Sequence, residues 1–337
     1  MTFDAALPNP EHYVTTPLDP HLAQILPMLQ YGEVAQLTPD AWRGFLRALA
    51  SSPANPPPPP VADVRDTNVP GPAGTIPVRV YRSAPGPQPT VLFFHGGGWV
   101  GGDLDTHDLV VRVLALELEC TIVAVHYRRP PEAPFPAAYD DALEATRHVA
   151  THLEEFGGAG QPVAIAGDSS GANLAAAVTF ACTVEGPKLA AQLLLYPVTD
   201  VAGGFKDEAV NARFPSRQEN ATGYFVTKEL TQWSVGHYVS GGSDVDPRVS
   251  PLRAPSLADL PPAVVCTAQY DLLRDEGRAY AAALREAGVQ VVEHLGDGLV
   301  HAYLAMEGAS PAVGAEAKRV RASFKTLIAH ASRASRD

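Results

Sequence analysis

The sequence predicts an α/β fold, a mostly parallel sheet covered by helices on both faces. Three observations carry this. From Thr90 onward, short apolar runs (TVLFF, TIVAV, VAIAG, AAQLLLYP and AVVCTAQY) alternate with segments of helical composition. The runs are mostly apolar, without the polar alternation of a half-exposed strand, as suits strands buried on both faces. One of them, VAIA, enters Gly167-Asp168-Ser169-Ser170-Gly171 and leaves through NLAAAVTFA, a strand, a sharp turn and a helix in succession.

Taken in order, the chain opens with helical pieces broken by prolines. Asp19-Pro20 suits the start of a helix through HLAQILPMLQ, and Thr38-Pro39-Asp40 the start of a second, where Trp42, Phe45, Leu46 and Leu49 share one face. Residues 51–60, SSPANPPPPP, have no helical option and read as a stiff, extended spacer. VADVRDTNV and TIPVRVYRS, joined by PGPAG, predict an antiparallel pair. The alternating part follows, with helices expected over His107 to Glu119, Ala137 to Phe156, Arg274 to Ala287 and Ala312 to Ala331, and a last strand in VQVVEHL. Residues 200–240 break the rhythm. Their second half looks helical, and an insertion at the carboxyl side of the sheet is placed to cover a site there. The expected organisation is a core of residues 61–199 and 241–337, and a helical cap built from residues 1–50 and the 200–240 insertion.

Composition bounds the function. With 337 residues the chain has room for one large α/β domain and an insertion, or for two domains. Its 37 acidic against 25 basic residues give a net charge of −12, and no Lys/Arg-rich stretch interrupts it. That argues against a nucleic-acid partner or an anionic membrane surface. Cys120, Cys182 and Cys266 lie in apolar contexts without metal-ligand spacing, which predicts buried free thiols and a reducing, cytoplasmic setting. The amino terminus has neither a basic start nor a long apolar core, so no signal peptide is expected, and no apolar run is long enough to span a membrane. A homodimer is left open.

The chemistry centres on Ser169. Glycine at both ends of G-x-S-x-G permits a turn too sharp for side chains there. The serine then stands at the amino end of a helix, where the dipole and free N–H groups favour developing negative charge. The strand TVLFF runs into His95-Gly96-Gly97-Gly98-Trp99. Consecutive glycines turn backbone N–H groups into a crevice. A phosphate cradle would need a glycine pattern entering a helix directly, or a following lysine, and neither is present. An oxyanion hole, completed by the N–H of Ser170, fits a chain that also has the elbow. His95 is expected to order the loop. Asp271 ends a strand where a catalytic carboxylate belongs, whereas Asp275 and Glu276 are explained by the dipole of the helix they begin. His301, in the loop GDGLVHAYL, is the expected base; the remaining histidines, His107 among them, receive no role.

The order Ser169, Asp271, His301 is that of the α/β-hydrolases. Together with HGGGW, YRRPPEAPFPAA, GDSSGAN, ENATGY, DPRVSPL and TAQYDLLRDEG, in register over residues 91 to 303, it makes the chain resemble the hormone-sensitive-lipase family (bacterial family IV) of carboxylesterases. The resemblance implies an α/β-hydrolase fold with a helical cap, and oxyanion donors on Gly97 and Gly98 beside Ser170. It also implies hydrolysis of small-molecule esters with short to medium acyl chains through an acyl-enzyme, without metal or organic cofactor. An amide hydrolase or deacetylase with the same three residues is the alternative, and a non-catalytic receptor of the same fold a remote one. The chain departs from the family pattern at Ser170 and Ala172, where alanine and glycine are usual, at Arg129-Pro130, and at Leu272. The usual alanine implies that the Ser170 hydroxyl is dispensable and only its N–H is needed.

Overall fold

The computed structural model describes residues 16–239 and 242–334. The first part of the expected cap, residues 1–15, lies outside the described residues.

An eight-stranded sheet runs in the order β1-β2-β4-β3-β5-β6-β7-β8. β1 (Asp63–Gly71) and β2 (Gly74–Arg82) form the antiparallel hairpin, closed across Gly71 and Gly74, and β2 pairs antiparallel with β4 (Thr121–Val125). From β4 on, neighbours are parallel: β3 (Thr90–Phe94), β5 (Val163–Asp168), β6 (Gln192–Leu195), β7 (Ala263–Tyr270) and β8 (Val291–Val300). β8 is longer than its sequence suggests. GDGLV continues the strand past an irregularity opposite Ala268 and Tyr270, so His301 follows the strand directly rather than sitting within a loop.

Alternate side chains leave opposite faces of each strand, and this builds two cores. Leu92, Phe94, Val123, Ile165, Leu194 and Val265 pack with helices α4 (Ala137–Thr151), α5 (Ser170–Glu185) and α9 (Arg274–Glu286). Val91, Phe93, Ile122, Ala164, Leu193 and Val264 pack with α3 (Asp108–Leu118) and α10 (Pro311–Ala334). Each fully buried large apolar side chain contributes about 1.5–3 kcal/mol. α5 is buried on every side from Ser170 to Thr179, as expected of a helix with no polar face wedged under the site.

Two other segments converge above the carboxyl ends of the strands. α1 (Pro20–Ile25) is capped by Asp19, whose carboxylate accepts the N–H groups of His21 and Leu22. α2 (Pro39–Ala50) is capped by the Thr38 hydroxyl and followed by a chain reversal in which the Asn55 amide donates to Leu49 O and Ala50 O. Residues 51–60 are free of helix, as expected, but the first half is turned and only the prolines at 56–60 run without a turn. In the 200–240 segment lie α6 (Glu208–Asn211), α7 (Ser216–Glu219) and α8 (Lys228–Tyr238). α2 and α8 share a small core of Val34, Trp42, Val100 and Leu230, and Trp233 Nε1 donates to Leu37 O at 3.0 Å.

Asp275 and Glu276 do more than complement a dipole. Both are buried. Asp275 accepts the Ser216 N–H at 2.7 Å; Glu276 accepts the Thr199 N–H at 2.7 Å and pairs with the fully buried Arg217. Burial pushes the Glu276 carboxyl up to about 7 against the pull of Arg217. The sequence showed the first turn of a helix; it did not show that α7, dozens of residues away, lies against it. Among the described residues, no helix is long and apolar enough to cross a membrane.

Candidate active site

Four strand ends supply the site, all on the carboxyl side of the sheet. Ser169 follows β5, Asp271 follows β7, His301 follows β8, and the glycine loop follows β3. At the elbow Ser169 has φ 55°, a strained conformation for a residue with a side chain. The flanking glycines are obligatory. A Cβ on Gly167 would stand 2.3 Å from Gly171 O, and one on Gly171 would stand 2.0 Å from Phe94 O.

His301 Nδ1 lies 2.7 Å from Asp271 Oδ2, and His301 Nε2 lies 2.9 Å from Ser169 Oγ. A carboxylate only accepts, so the proton sits on Nδ1 and the Nε2 lone pair faces the serine hydroxyl. Asp271 is oriented in turn by the Leu273 N–H, which donates to its other oxygen at 2.9 Å. The Asn220 amide donates to Asp271 O, and the Ser216 hydroxyl to Leu272 O, so the segment around α7 braces the turn that carries the acid. Tyr196 packs its ring 4.8 Å from the imidazole. His301 and Asp271 are buried and Ser169 is partly open.

The glycine loop is held peptide by peptide. Tyr127 OH donates to His95 O at 2.6 Å, and Gly96 N–H donates to Asp168 Oδ1 at 2.8 Å. His95 Nδ1 lies 3.0 Å from Gly96 O, so the ring carries its proton there, and its Nε2 is buried without a partner. Burial, with His107 beside it, keeps His95 well below the ordinary histidine range. Gly97 O accepts from Gly101 N at 2.9 Å and from Trp42 Nε1 at 3.0 Å. The Trp99 N–H donates to Ser170 Oγ at 3.0 Å. Among the described residues the N–H groups of Gly97, Gly98 and Ser170 have no protein acceptor. Gly97 and Gly98 both have positive φ, 119° and 64°, and side chains there would collide with Gly101 and with Ser234 on α8.

Several contributors were not legible. His107, given no role from sequence, places Nε2 3.3 Å from Asp168 Oδ1. Burial lowers its basicity, but Asp168 and Asp103 together outweigh this and raise it overall. Asp168 thereby ties the residue before the nucleophile to both the glycine loop and α3. The Ser170 hydroxyl is an acceptor for the Trp99 N–H, a use the resemblance did not imply. Of the other departures, Leu272 is fully buried in the core, Ala172 is buried in α5, and the Arg129 guanidinium donates to Gly102 O. The one signal available was adjacency: Asp168 and Ser170 flank the candidate nucleophile.

The comparisons agree with this fold. A family model described as alpha/beta hydrolase fold matches residues 91–305. The carboxylic ester hydrolase LipN of Mycobacterium tuberculosis is 40% identical over 302 residues, covering 85% of this chain and 77% of the relative. The esterase LipI of the same organism is 37% identical, covering 92% and 95%. Among solved structures, an esterase of Pyrobaculum calidifontis superposes with a TM-score of 0.84 at 34% identity, covering 92% of this chain and 99% of its own.

Proposed function

The chain belongs to the alpha/beta hydrolase fold family, in its hormone-sensitive-lipase-like branch, and is a carboxylic ester hydrolase; from this premise we propose that it hydrolyses short- to medium-chain acyl esters by two-step acyl transfer on Ser169. Ser169 Oγ attacks the ester carbonyl while His301 Nε2 takes its proton. Asp271 holds the imidazole in the tautomer that can do so and stabilises the imidazolium. The N–H groups of Gly97, Gly98 and Ser170 receive the oxygen that becomes negative. His301 then protonates the departing alcohol, and water repeats the sequence on the acyl-enzyme.

The observation that carries this reading is the pair of hydrogen bonds linking Asp271, His301 and Ser169, at 2.7 and 2.9 Å, beside three N–H donors that have no acceptor among the described residues. Residues 16–50 and 200–239, the described parts of the expected cap, act as the cap. Support comes from α8, whose Ser234 Oγ would stand 2.5 Å from a Cβ on Gly98, so the insertion lies against the loop that carries the donors. The test is a panel of p-nitrophenyl esters from acetyl to palmitoyl with a matched anilide. The reading expects kcat/KM to be highest between acetyl and octanoyl and far lower for the anilide. A preference for palmitoyl, or for the anilide, contradicts it.

A further inference from the structure

We propose that Trp42, on α2, is a positioning residue for the oxyanion, acting through the peptide that joins Gly97 to Gly98. This rests on the reading of Gly97 and Gly98 as oxyanion donors.

A trans peptide is planar, so its C=O and N–H point in opposite directions within one rigid unit. Fixing the Gly97 carbonyl therefore fixes the Gly98 N–H. That carbonyl accepts Trp42 Nε1 at 3.0 Å and Gly101 N at 2.9 Å. The Gly101 bond is internal to the loop and moves with it. The indole bond comes from a helix more than fifty residues away in sequence and is the one that ties this peptide to the rest of the molecule. With φ 119° at Gly97 and 64° at Gly98, this peptide lies between two residues that lack a Cβ to restrict them, so it needs an outside hold.

The surroundings are built for that contact. Gly101 has no room for a side chain because the indole occupies the space: a Cβ there would stand 2.7 Å from Trp42 Nε1 and 2.6 Å from Leu46 Cδ1. The ring is stacked on Phe45, with centroids 5.6 Å apart, and meets Tyr31 edge-on at 5.5 Å, which sets its plane. Arg43 and Arg47, on the same helix, bind either side of the same stretch of chain. Arg43 Nε donates to Val100 O at 2.9 Å, and Arg47 pairs with Asp103 at 2.8 Å. α2 is thus a splint along residues 97–103, and Trp42 is the side chain that reaches the donor-bearing peptide.

The test separates the indole N–H from the indole ring. Trp42→Phe keeps the aromatic packing and removes the donor. One neutral hydrogen bond is worth about a factor of 2 to 13, and the Gly101 bond survives, so kcat is expected to fall about 3- to 10-fold with KM unchanged. A trifluoromethyl ketone, which forms an oxyanion on the serine, is expected to bind more weakly by the same factor, and its methyl ketone analogue to bind as before. Leu49→Ala, on the same helix but away from the indole, is the packing control: it lowers the melting temperature and leaves kcat and ketone affinity alone. If Trp42→Phe does not fold, 3-benzothienylalanine at position 42 keeps the ring shape without the N–H, with the same expectations. Unchanged kcat and unchanged trifluoromethyl ketone affinity overturn the proposal, as do equal losses in Leu49→Ala. If the parent enzyme binds the trifluoromethyl ketone no more tightly than the methyl ketone, the oxyanion reading itself has failed and the proposal falls with it. Tight binding by parent and variant alike sinks the role of Trp42 alone.

Discussion

Replacing Asp271 by asparagine changes one atom and, by the geometry, reverses a proton. Asp271 Oδ1 accepts the Leu273 N–H at 2.9 Å, and Oδ2 faces His301 Nδ1 at 2.7 Å. An asparagine has one acceptor and one donor end. Its NH2 cannot face the Leu273 N–H, because two donors would meet in a buried place. Its oxygen must therefore take that position, and the NH2 turns to His301. Nδ1 must then accept, which moves the imidazole proton to Nε2, 2.9 Å from Ser169 Oγ. A protonated Nε2 cannot take the serine proton. A loss of this kind is about 10⁴ in kcat, which corresponds to about 5.4 kcal/mol of transition-state stabilisation. Both hydrogen bonds survive, the one from Leu273 unchanged and the one with His301 reversed, so the fold is undisturbed. The assay is kcat and KM on p-nitrophenyl acetate beside a melting curve. The expected result is a collapse of kcat with KM and melting temperature close to the parent's. A variant that keeps kcat within about ten-fold would refute the tautomer argument, since a loss that small is no more than one neutral hydrogen bond accounts for.

Ser170→Ala leaves the Trp99 N–H without its acceptor while Trp99 stays at φ 60°, so a buried donor costing about 1–3 kcal/mol is left unsatisfied. Calorimetry is expected to show a melting temperature lower by several degrees, with kcat within about ten-fold because the Ser170 N–H remains; an unchanged melting temperature would show that the hydroxyl holds nothing. His107→Gln keeps a hydrogen-bond donor for Asp168 and removes the charge. The folded-state pKa of His107 is raised above its ordinary 6.5. Its contribution to stability is therefore fully present below 6.5 and is lost as pH rises through the raised value. The gap in melting temperature between parent and His107→Gln is expected to be widest below pH 6.5 and to close as pH rises through the raised value; a gap that widens with pH contradicts the assignment.

How much of this was readable from sequence depends on the range over which the physics acts. The parallel sheet was legible because strands buried on both faces have to be mostly apolar, and the elbow because its glycines and serine form a short pattern between an apolar run and a helical one, although the contact that forces Gly171 comes from Phe94 on the neighbouring strand. Asp271 and His301 were legible as residues at strand ends, although the strand before His301 was cut short: Gly296 and Gly298 look like loop residues, yet the ladder with β7 carries through them. What was not legible is the partner of each polar side chain. Asp275 and Glu276 look like ordinary first-turn acids until α7 is seen against them. The apolar face of α2 announced that Trp42 would be covered, but a pattern of hydrophobic positions says nothing about where an indole N–H points. His107 was passed over for the same reason, since its partner Asp168 lies sixty-one residues further on.

The central claim, that Ser169 is the nucleophile of a covalent mechanism, is tested most directly by labelling the intact enzyme with a fluorophosphonate and mapping the adduct by mass spectrometry. The account predicts one adduct per chain, on Ser169, abolished in Ser169→Ala together with nearly all esterase activity while the fold persists. An adduct on a different residue, or a Ser169→Ala variant that hydrolyses esters at the parent's rate, would contradict it.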